Sequence, residues 1–231
     1  MPDSKIKQVN YVDLDLCEYK KAWEFQEKKH TEIILRREKD ANNNRVGSLI
    51  FVEHPHVFTL GKSGKANNLL INETFLQKIN ASYYQINRGG DITYHGPGQI
   101  VGYPIFDLEL LKIGVKEYIN KIETIIIDTL ASFDIVASRL DGATGVWLEA
   151  GTPNTRKICA IGVRVSKAVT MHGFALNVNT DLQYFSYINP CGFIDKGVTS
   201  MQKELGKKIE MAEVKKKLKF HFNRSFSIEI D

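Results

Sequence analysis

The sequence predicts an α+β fold in which a mixed, largely antiparallel sheet is flanked by helices. Several short segments have the alternating, β-branched composition of strands, and three of them follow one another across short turns after residue 140, which favours antiparallel pairing. A few helical patterns are interleaved with these runs of strands. The 231 residues contain no repeat, low-complexity tract or Pro/Ser-rich linker, so we expect one domain over residues 1–231.

In the first half of the chain, the pattern predicts one helix followed by three strands. We expect a helix over residues 14–29, because Leu16, Tyr19 and Trp23 recur at helical spacing. The strands are expected at residues 48–55, around Tyr83, and at residues 100–108. A proline inside a strand is typical of an edge strand or a bulge, so Pro104 predicts one of these in the third strand.

In the second half, a long helix is predicted over residues 114–133, where apolar residues recur on one side. Three strands are then expected at residues 145–150, 157–165 and 169–178. After Gly197 the pattern returns to helix until close to the end of the sequence.

The composition is that of an ordinary globular protein. Apolar residues make up 43% and charged residues 25% of the chain, which excludes the disordered, collagen-like and disulfide-framework classes. The first residues contain no apolar signal region, and no apolar run is long enough to span a bilayer, so we expect a cytoplasmic protein that does not bind membranes. Three cysteines, Cys17, Cys159 and Cys191, are consistent with free thiols in a reducing compartment.

The net charge of +4 is unevenly distributed. Residues 203–224 carry eight lysines and arginines against three glutamates. This segment is either the solvated face of a helix or a weak docking surface for an acidic partner.

Three common types of site are not supported by the sequence. The segment Leu60 to Ser63 resembles the end of a phosphate-binding P-loop, but the required first glycine is replaced by His56. Glu53, His54 and His56 lack further metal-ligand residues at suitable spacing, so no metal site is predicted. Basic residues are not interleaved with aromatic residues in a stripe, so no nucleic-acid partner is expected.

Residues 88–99 are the densest unusual segment, with four glycines within eleven residues. Glycine allows positive φ and lets a ligand approach the main chain, while Arg88, Thr93, Tyr94 and His95 supply a charge, donors and a titratable group. We interpret the segment as a pocket wall, although a simple glycine-rich connection between strands is the alternative.

Two further positions are candidates for covalent chemistry. Cys191 stands between a proline and a glycine, on a turn that can present a thiol, whereas Cys17 and Cys159 lie in apolar patterns typical of a core. Lys157 opens a strand of small and apolar residues, where partial burial can perturb an ammonium, although an exposed lysine fits the same pattern. His172 precedes a glycine in a predicted strand and is either a pocket residue or a hydrogen-bonded core residue.

Taken together, these segments resemble the lipoyl(octanoyl) transferase family. The resemblance rests on RGGDITYHGPGQ at residues 88–99, KICAIGVRV from Lys157, MHGFALNV at 171–178 and INPCG at 188–192. It extends through EHPHVFTLGKSG at residues 53–64, GVW at 145–147 and VTS at 198–200, and covers about residues 50–205.

The resemblance implies a lipoate/biotin protein ligase-like fold and an acyltransferase that performs the first step of protein lipoylation by endogenous lipoate synthesis. Such an enzyme moves an octanoyl group from octanoyl-acyl carrier protein, which holds it on phosphopantetheine, to a lysine of lipoyl domains. The acceptors are 2-oxoacid dehydrogenase E2 subunits and the glycine cleavage H protein, and no ATP, metal or other cofactor is required. The family's thioester cysteine falls on Cys191 and its partner lysine on Lys157. The acyl site falls on Arg88, Gly89, Gly90, Asp91, Ile92, Thr93, Tyr94, His95, Ala160, Ile161, Gly162, Gly173, Phe174 and Ala175.

Three alternatives remain at this point. A lipoate or biotin protein ligase of the same fold would activate its acid with ATP and would not need Cys191. A cysteine hydrolase would pair Cys191 with His172 or His95 and pass the acyl group to water. A non-catalytic module that binds lipoyl domains would keep the fold without needing Cys191 and Lys157.

Overall fold

The computed structural model describes residues 6–40, 43–189 and 197–231. The helices are α1 (Tyr19–Lys39), α2 (Glu73–Lys78), α3 (Leu108–Leu111), α4 (Val115–Ala131), α5 (Met201–Leu205) and α6 (Met211–Phe226). The strands are β1 (Lys7–Leu16), β2 (Arg45–Glu53), β3 (Val57–Leu60), β4 (Ser82–Gln85), β5 (Ile92–His95), β6 (Gln99–Phe106), β7 (Ser138–Leu140), β8 (Ala143–Leu148), β9 (Arg156–Ser166), β10 (Val169–Asn177), β11 (Gly197–Val198) and β12 (Ile228–Ile230). Two 3-10 helices lie at Ala66–Asn68 and Leu182–Tyr187.

The strands form two sheets. In the main sheet the order is β12-β1-β2-β6-β10-β9-β8-β7, with β11 beside β9, and a smaller sheet has the order β4-β3-β5. From β2 to β7 the neighbours along this path are antiparallel, whereas β1 is parallel to both β2 and β12. The sheet is therefore mixed and largely antiparallel, and the predicted fold class is confirmed.

The helices cover both faces of the main sheet. On one face, α4 and α6 bury Phe222 and Phe226 against Phe106 and Phe174, with ring centroids 5.4 to 6.3 Å apart. On the other face, α1 packs Ala22 against a second apolar cluster built from β2, β6 and β10. Each face thus has its own core, and a site on the α1 side is separated from α6 by the sheet.

The prediction of a helix over residues 14–29 was wrong at both ends. Residues up to Leu16 belong to β1, and α1 runs from Tyr19 to Lys39. Along β1, Val9 and Tyr11 pack into one core while Val12 and Leu14 pack into the other. This alternation with period two, together with pairing to β2 as far as Leu16, stabilises a strand where Leu16 had been assigned to a helix.

Pro104 was predicted to mark an edge strand or a bulge, and the edge is wrong because β6 lies between β2 and β10. The pairing with β10 is regular from Gln99 to Gly102 and then lapses until the isolated bridge between Asp107 and Val169. Across the gap the Thr170 hydroxyl donates to the Pro104 carbonyl and accepts from the Phe106 amide. A side chain thus replaces the ladder bonds that proline interrupts.

The remaining predicted elements lie close to their expected positions. The structure places α4 at Val115–Ala131 and strands β8, β9 and β10 in consecutive antiparallel pairs. Among the described residues, no helix is long and apolar enough to cross a membrane.

Candidate functional site

A cavity of about 650 Å³ is lined by residues from both sheets. The glycine-rich segment and β5 contribute Arg88, Gly90, Asp91, Ile92, Thr93 and His95. Strands β8, β9 and β10 contribute Trp147, Lys157, Ala160, Ile161, Gly162, His172, Gly173, Phe174, Ala175 and Asn177. The cavity therefore brings together most of the residues that the sequence analysis assigned to a substrate site, although their role as an acyl site stays a prediction.

The floor of the cavity is made of very small residues on two neighbouring strands. Ala160 lies opposite Ala175, and Gly162 lies opposite Gly173. A Cβ at Gly173 would come within 2.1 Å of the Gly102 carbonyl oxygen on β6, so this glycine allows the two strands to approach closely. The small side chains of Ala160 and Ala175 leave an open trough above β9 and β10, which Arg88 covers at Gly162.

The glycine-rich segment forms the opposite wall and is fixed by backbone hydrogen bonds. The amides of Gly61, Lys62 and Ser63 donate to the carbonyls of Asp91, Arg88 and Gly90 at 3.0 to 3.2 Å. The Asp91 carboxylate accepts two hydrogen bonds of 2.8 Å from the Asn68 side chain. These contacts tie the wall to the segment that follows β3.

Gly89 and Tyr94 were assigned to the acyl site but are not among the residues that line the cavity. The Gly89 amide donates to the Val163 carbonyl on β9, which ties the segment to the floor. Tyr94 is fully buried on the other side of β5, where its hydroxyl lies 2.7 Å from His56 Nδ1 and its ring stacks on Tyr184. Alternation along β5 explains this placement, since neighbouring side chains point to opposite faces.

Arg88 is buried in the wall, with 8% of its surface exposed. Its Nη2 donates to the Thr59 carbonyl at 2.7 Å and to the Thr59 hydroxyl at 3.0 Å, and its Nη1 donates to the Gly89 carbonyl. Burial lowers the pKa of the guanidinium from its usual value. The charged end is thus directed into β3, and the side chain is held in one position.

Lys157 reaches the cavity because of an extra residue in β9. Val146 on β8 pairs with Cys159, but the next residue, Trp147, pairs with Lys157, so Ile158 is the extra residue of a β-bulge. Under strict alternation Lys157 and Cys159 would share the buried face. The bulge instead places Lys157 at the cavity, with its Nζ 4.4 Å from the centre of the Trp147 ring.

Cys191 lies outside the described residues. The chain is described up to Asn189 and again from Gly197, and both of these residues line the cavity. The Asn189 amide donates to the Asn68 carbonyl, while Val198 pairs with Lys157 in the register of β11 and β9. The described residues on both sides of the predicted nucleophile are therefore at the cavity, and Val198 is the one next to Lys157.

The other two cysteines have environments that disfavour a thiolate. Cys159 is fully buried and Cys17 is partly buried, and burial raises the pKa of both thiols. Both fit the expected core role better than a catalytic one.

Two histidines at the cavity are held neutral by their surroundings. Burial lowers the pKa of His172 to about 3, with further contributions from the charges of Arg88 and Arg164. Burial likewise lowers the pKa of His95 well below its usual value, and His95 Nδ1 lies 2.8 Å from Gln99 Oε1. His172 also has a positive φ of 62°, and its amide donates to Gln26 on α1.

Several cavity residues come from elements with no unusual motif and were not predicted from the sequence. These include Tyr19 at the start of α1, Val101 and Tyr103 on β6, and Leu182 and Phe185 in the second 3-10 helix. Val101 and Tyr103 are two residues apart on one strand, and this period was the only signal that they share a face.

Comparisons with known proteins show the family to which this chain belongs. The family model described as the lipoyl protein ligase A/B catalytic domain matches residues 18–223. An octanoyltransferase of Bacteroides fragilis (strain YCH46) is 57% identical over 208 residues, which cover 90% of this chain and 93% of that protein. An octanoyltransferase of Flavobacterium johnsoniae is 52% identical over 229 residues, covering 97% and 99% respectively.

Solved structures show the same fold at low sequence identity. A bi-partite lipoate protein ligase from Thermoplasma acidophilum matches with a TM-score of 0.71 and 15% identity, over 97% of this chain and 86% of that one. A biotin protein ligase from Aquifex aeolicus in complex with biotin and ATP matches with a TM-score of 0.52 and 11% identity, over 96% and 70%. These matches support the ligase-like fold that the sequence predicted.

Proposed function

The chain belongs to the lipoyl protein ligase A/B catalytic domain family, and from this premise we propose that it is an octanoyltransferase that works through a thioester on Cys191. The donor is octanoyl-acyl carrier protein, and the acceptor is a lysine of a lipoyl domain. The predicted resemblance to the lipoyl(octanoyl) transferases is confirmed by the relatives at 52% and 57% identity.

The observation that carries the proposed mechanism is the bulge at Ile158, which places Lys157 at the cavity beside Val198. Cys191 follows Asn189 by two residues, and two extended residues span at most about 7 Å. Since Asn189 lines the same cavity, its position favours a thiol within reach of the same substrate that Lys157 contacts.

In the first half-reaction, the Cys191 thiolate attacks the carbonyl carbon of the octanoyl thioester, and the phosphopantetheine thiolate leaves. A thiol with a pKa of about 8.5 is mostly protonated at neutral pH, and the nearby Lys157 ammonium favours its thiolate. Lys157 then protonates the leaving thiolate, so that one thioester replaces another. Backbone amides around the acyl site stabilise the tetrahedral oxyanion.

In the second half-reaction, the amine of the acceptor lysine attacks the enzyme thioester. The nitrogen becomes strongly acidic in the tetrahedral intermediate, and neutral Lys157 accepts its proton. The Cys191 thiolate leaves as the amide forms. Exchange of a thioester for an amide is energetically downhill, so the proposal needs no ATP, metal or other cofactor.

The chemistry also defines the partners. We assign the donor role to acyl carrier protein, and the acceptor role to 2-oxoacid dehydrogenase E2 subunits and the glycine cleavage H protein, in the cytoplasm. No nucleic acid or membrane takes part in either half-reaction. A hydrolase with a histidine base is disfavoured, because burial lowers the pKa of His172 and His95 and opposes their protonation.

Transfer without ATP tests the proposed function. Purified protein is mixed with octanoyl-acyl carrier protein and an apo lipoyl domain, and the mass of the lipoyl domain is followed. We expect octanoylation without ATP, and none from free octanoate plus ATP. Acylation that depends on octanoate and ATP would establish a ligase, and release of free octanoate from the carrier without acylation would establish a hydrolase.

A further inference from the structure

The trough above β9 ends at Gly162, because the Arg88 side chain lies directly on it. A Cβ built on Gly162 would be 3.2 Å from Arg88 Cδ and 2.8 Å from the Gly89 carbonyl oxygen. On the other side of the same side chain, a Cβ on Gly61 would be 2.8 Å from Arg88 Nη1. Arg88 is thus packed between two glycines and closes the floor at that point.

The distance from Lys157 to this closure matches the length of an octanoyl group. Ile158 is the extra residue of the bulge and adds no strand position, so Gly162 lies four positions beyond Lys157 along β9. At about 3.3 Å per position this is ~13 Å. An extended eight-carbon acyl chain is roughly 9 Å long from its carbonyl carbon to its methyl carbon, given C–C bonds of about 1.5 Å. If the acyl carbonyl lies near Lys157, ~4 Å remain between the terminal methyl carbon and the position of Gly162, which is a van der Waals contact distance.

Between these two points the floor leaves room for a chain. Ala160 and Ala175 form a cross-strand pair, and Ala175 also pairs with Val101 on β6. All three residues line the cavity, and none carries a polar side chain. The lining between Lys157 and Arg88 is suited to methylene groups.

We propose that the methylene stem of Arg88, lying across Gly162, is the end stop that limits the length of the acyl chain. The inference rests on the proposed octanoyl transfer and adds to it the residue that selects the chain length. The guanidinium donates to Thr59 and to the Gly89 carbonyl, and a Cβ on Gly162 would be 3.2 Å from the apolar Cδ of Arg88 and 3.4 Å from its Nη1. Two further methylenes add about 2.5 Å to the chain, which exceeds the space available.

The test compares Arg88→Ala with Arg88→Met. Both variants lose the guanidinium and its bonds to Thr59, but methionine keeps an unbranched apolar stem of similar length, whereas alanine removes it. Hexanoyl, octanoyl, decanoyl and dodecanoyl thioesters of pantetheine compete for transfer to a lipoyl domain, and the products are identified by mass. We expect the decanoyl-to-octanoyl ratio to rise ~10-fold or more in Arg88→Ala, as expected for two additional buried methylenes, and to stay near the wild-type ratio in Arg88→Met.

A second variant keeps the proposal testable if Arg88→Ala does not fold. Ala160→Val narrows the trough before the stop, and we expect the hexanoyl-to-octanoyl ratio to rise at least tenfold. If Arg88→Ala and Arg88→Met lower transfer of every chain length by the same factor, Arg88 has no role as a stop. An unchanged length profile in Ala160→Val would also overturn the proposal. Failure of the wild-type protein to transfer octanoyl at all would instead refute the proposed function.

Discussion

Gly145 provides a sensitive probe of the bulge that places Lys157 at the cavity. It lies on β8 with a φ of +126°, and a Cβ there would be 2.7 Å from the Cys159 carbonyl oxygen and 3.5 Å from Lys157 Cε. Its amide donates to the buried Glu123 carboxylate at 3.0 Å. A methyl group at this position must therefore separate β8 from β9 where Lys157 is oriented.

We expect Gly145→Ala to lower the free energy of unfolding by about 2–6 kcal/mol. A side chain in this backbone region costs about 1–3 kcal/mol, and overpacking against a fixed carbonyl costs a similar amount. For a protein of this size each kcal/mol corresponds to about 2–4 °C in Tm, so the melting temperature should fall by roughly 4–24 °C. Thermal and urea unfolding followed by circular dichroism measure this, and the rate of octanoyl transfer should fall as well.

Gly151→Ala is the matched control. Gly151 also has a positive φ, of +83°, but a Cβ there would meet nothing within 4 Å. Its substitution adds the backbone strain without the steric contact, so it should destabilise the protein less and leave transfer intact. Equal melting temperatures for the two variants would refute the argument that Gly145 is required by close packing at the bulge.

Three further predictions concern pH, the basic helix and Lys157. Burial lowers the pKa of His54 to about 4 and of His172 to about 3, below the 6.5 of an exposed histidine. The free energy of unfolding should therefore reach its full value above pH 6.5 and decrease as the pH falls towards 4, because the unfolded chain binds protons that the folded protein does not. Urea unfolding at several pH values measures this, and a flat profile would contradict it. Substitution of Lys216 and Lys217 by glutamate should leave the KM for the carrier protein unchanged at low salt, because α6 packs on the sheet face opposite α1. A raised KM would instead indicate that the carrier protein binds at α6. Lys157→Arg keeps the positive charge but removes a group that readily accepts a proton. Alkylation of Cys191 by iodoacetamide should therefore stay fast, while octanoyl transfer to the acceptor lysine is lost. Transfer at the normal rate would exclude the role of Lys157 as proton shuttle.

Local patterns predicted much of the fold. The apolar spacing from Val115 to Leu130 predicted α4, and the short turns after Gly145 predicted the antiparallel run from β8 to β10. The start of α1 was missed because Leu16 fits both helical and strand spacing, and only its pairing with Glu53 on β2 decides between them.

The part of the candidate site that lies in one sequence motif could be predicted. The residues that reach the cavity through a bulge or through tertiary packing could not. Glycines and polar residues close together in sequence identified the wall at Arg88. The bulge at Ile158 has no sequence signal, since simple alternation would place Lys157 on the same face as Cys159. Tyr19 and Tyr103 reach the cavity through tertiary packing of α1 and β6, which no local pattern encodes.

The basic segment at residues 203–224 had two interpretations, a solvated face and a docking surface, and the choice between them stays a prediction. Lys215 forms an ion pair of 2.8 Å with Asp13, and the Lys219 ammonium lies 4.2 Å from the centre of the Tyr11 ring. Both contacts join α6 to β1. They anchor the helix on the sheet and leave Lys216 and Lys217 exposed to solvent.

An octanoyl group held on Cys191 is the intermediate on which the mechanism depends. The protein is mixed with octanoyl-acyl carrier protein in the absence of acceptor and ATP, and its intact mass is measured before and after digestion. We predict one added octanoyl group, located on Cys191, retained in Cys159→Ala and absent in a folded Cys191→Ala variant. An acyl group on Cys17 or Cys159, or octanoylation of the lipoyl domain by Cys191→Ala at the wild-type rate, would contradict the thioester mechanism.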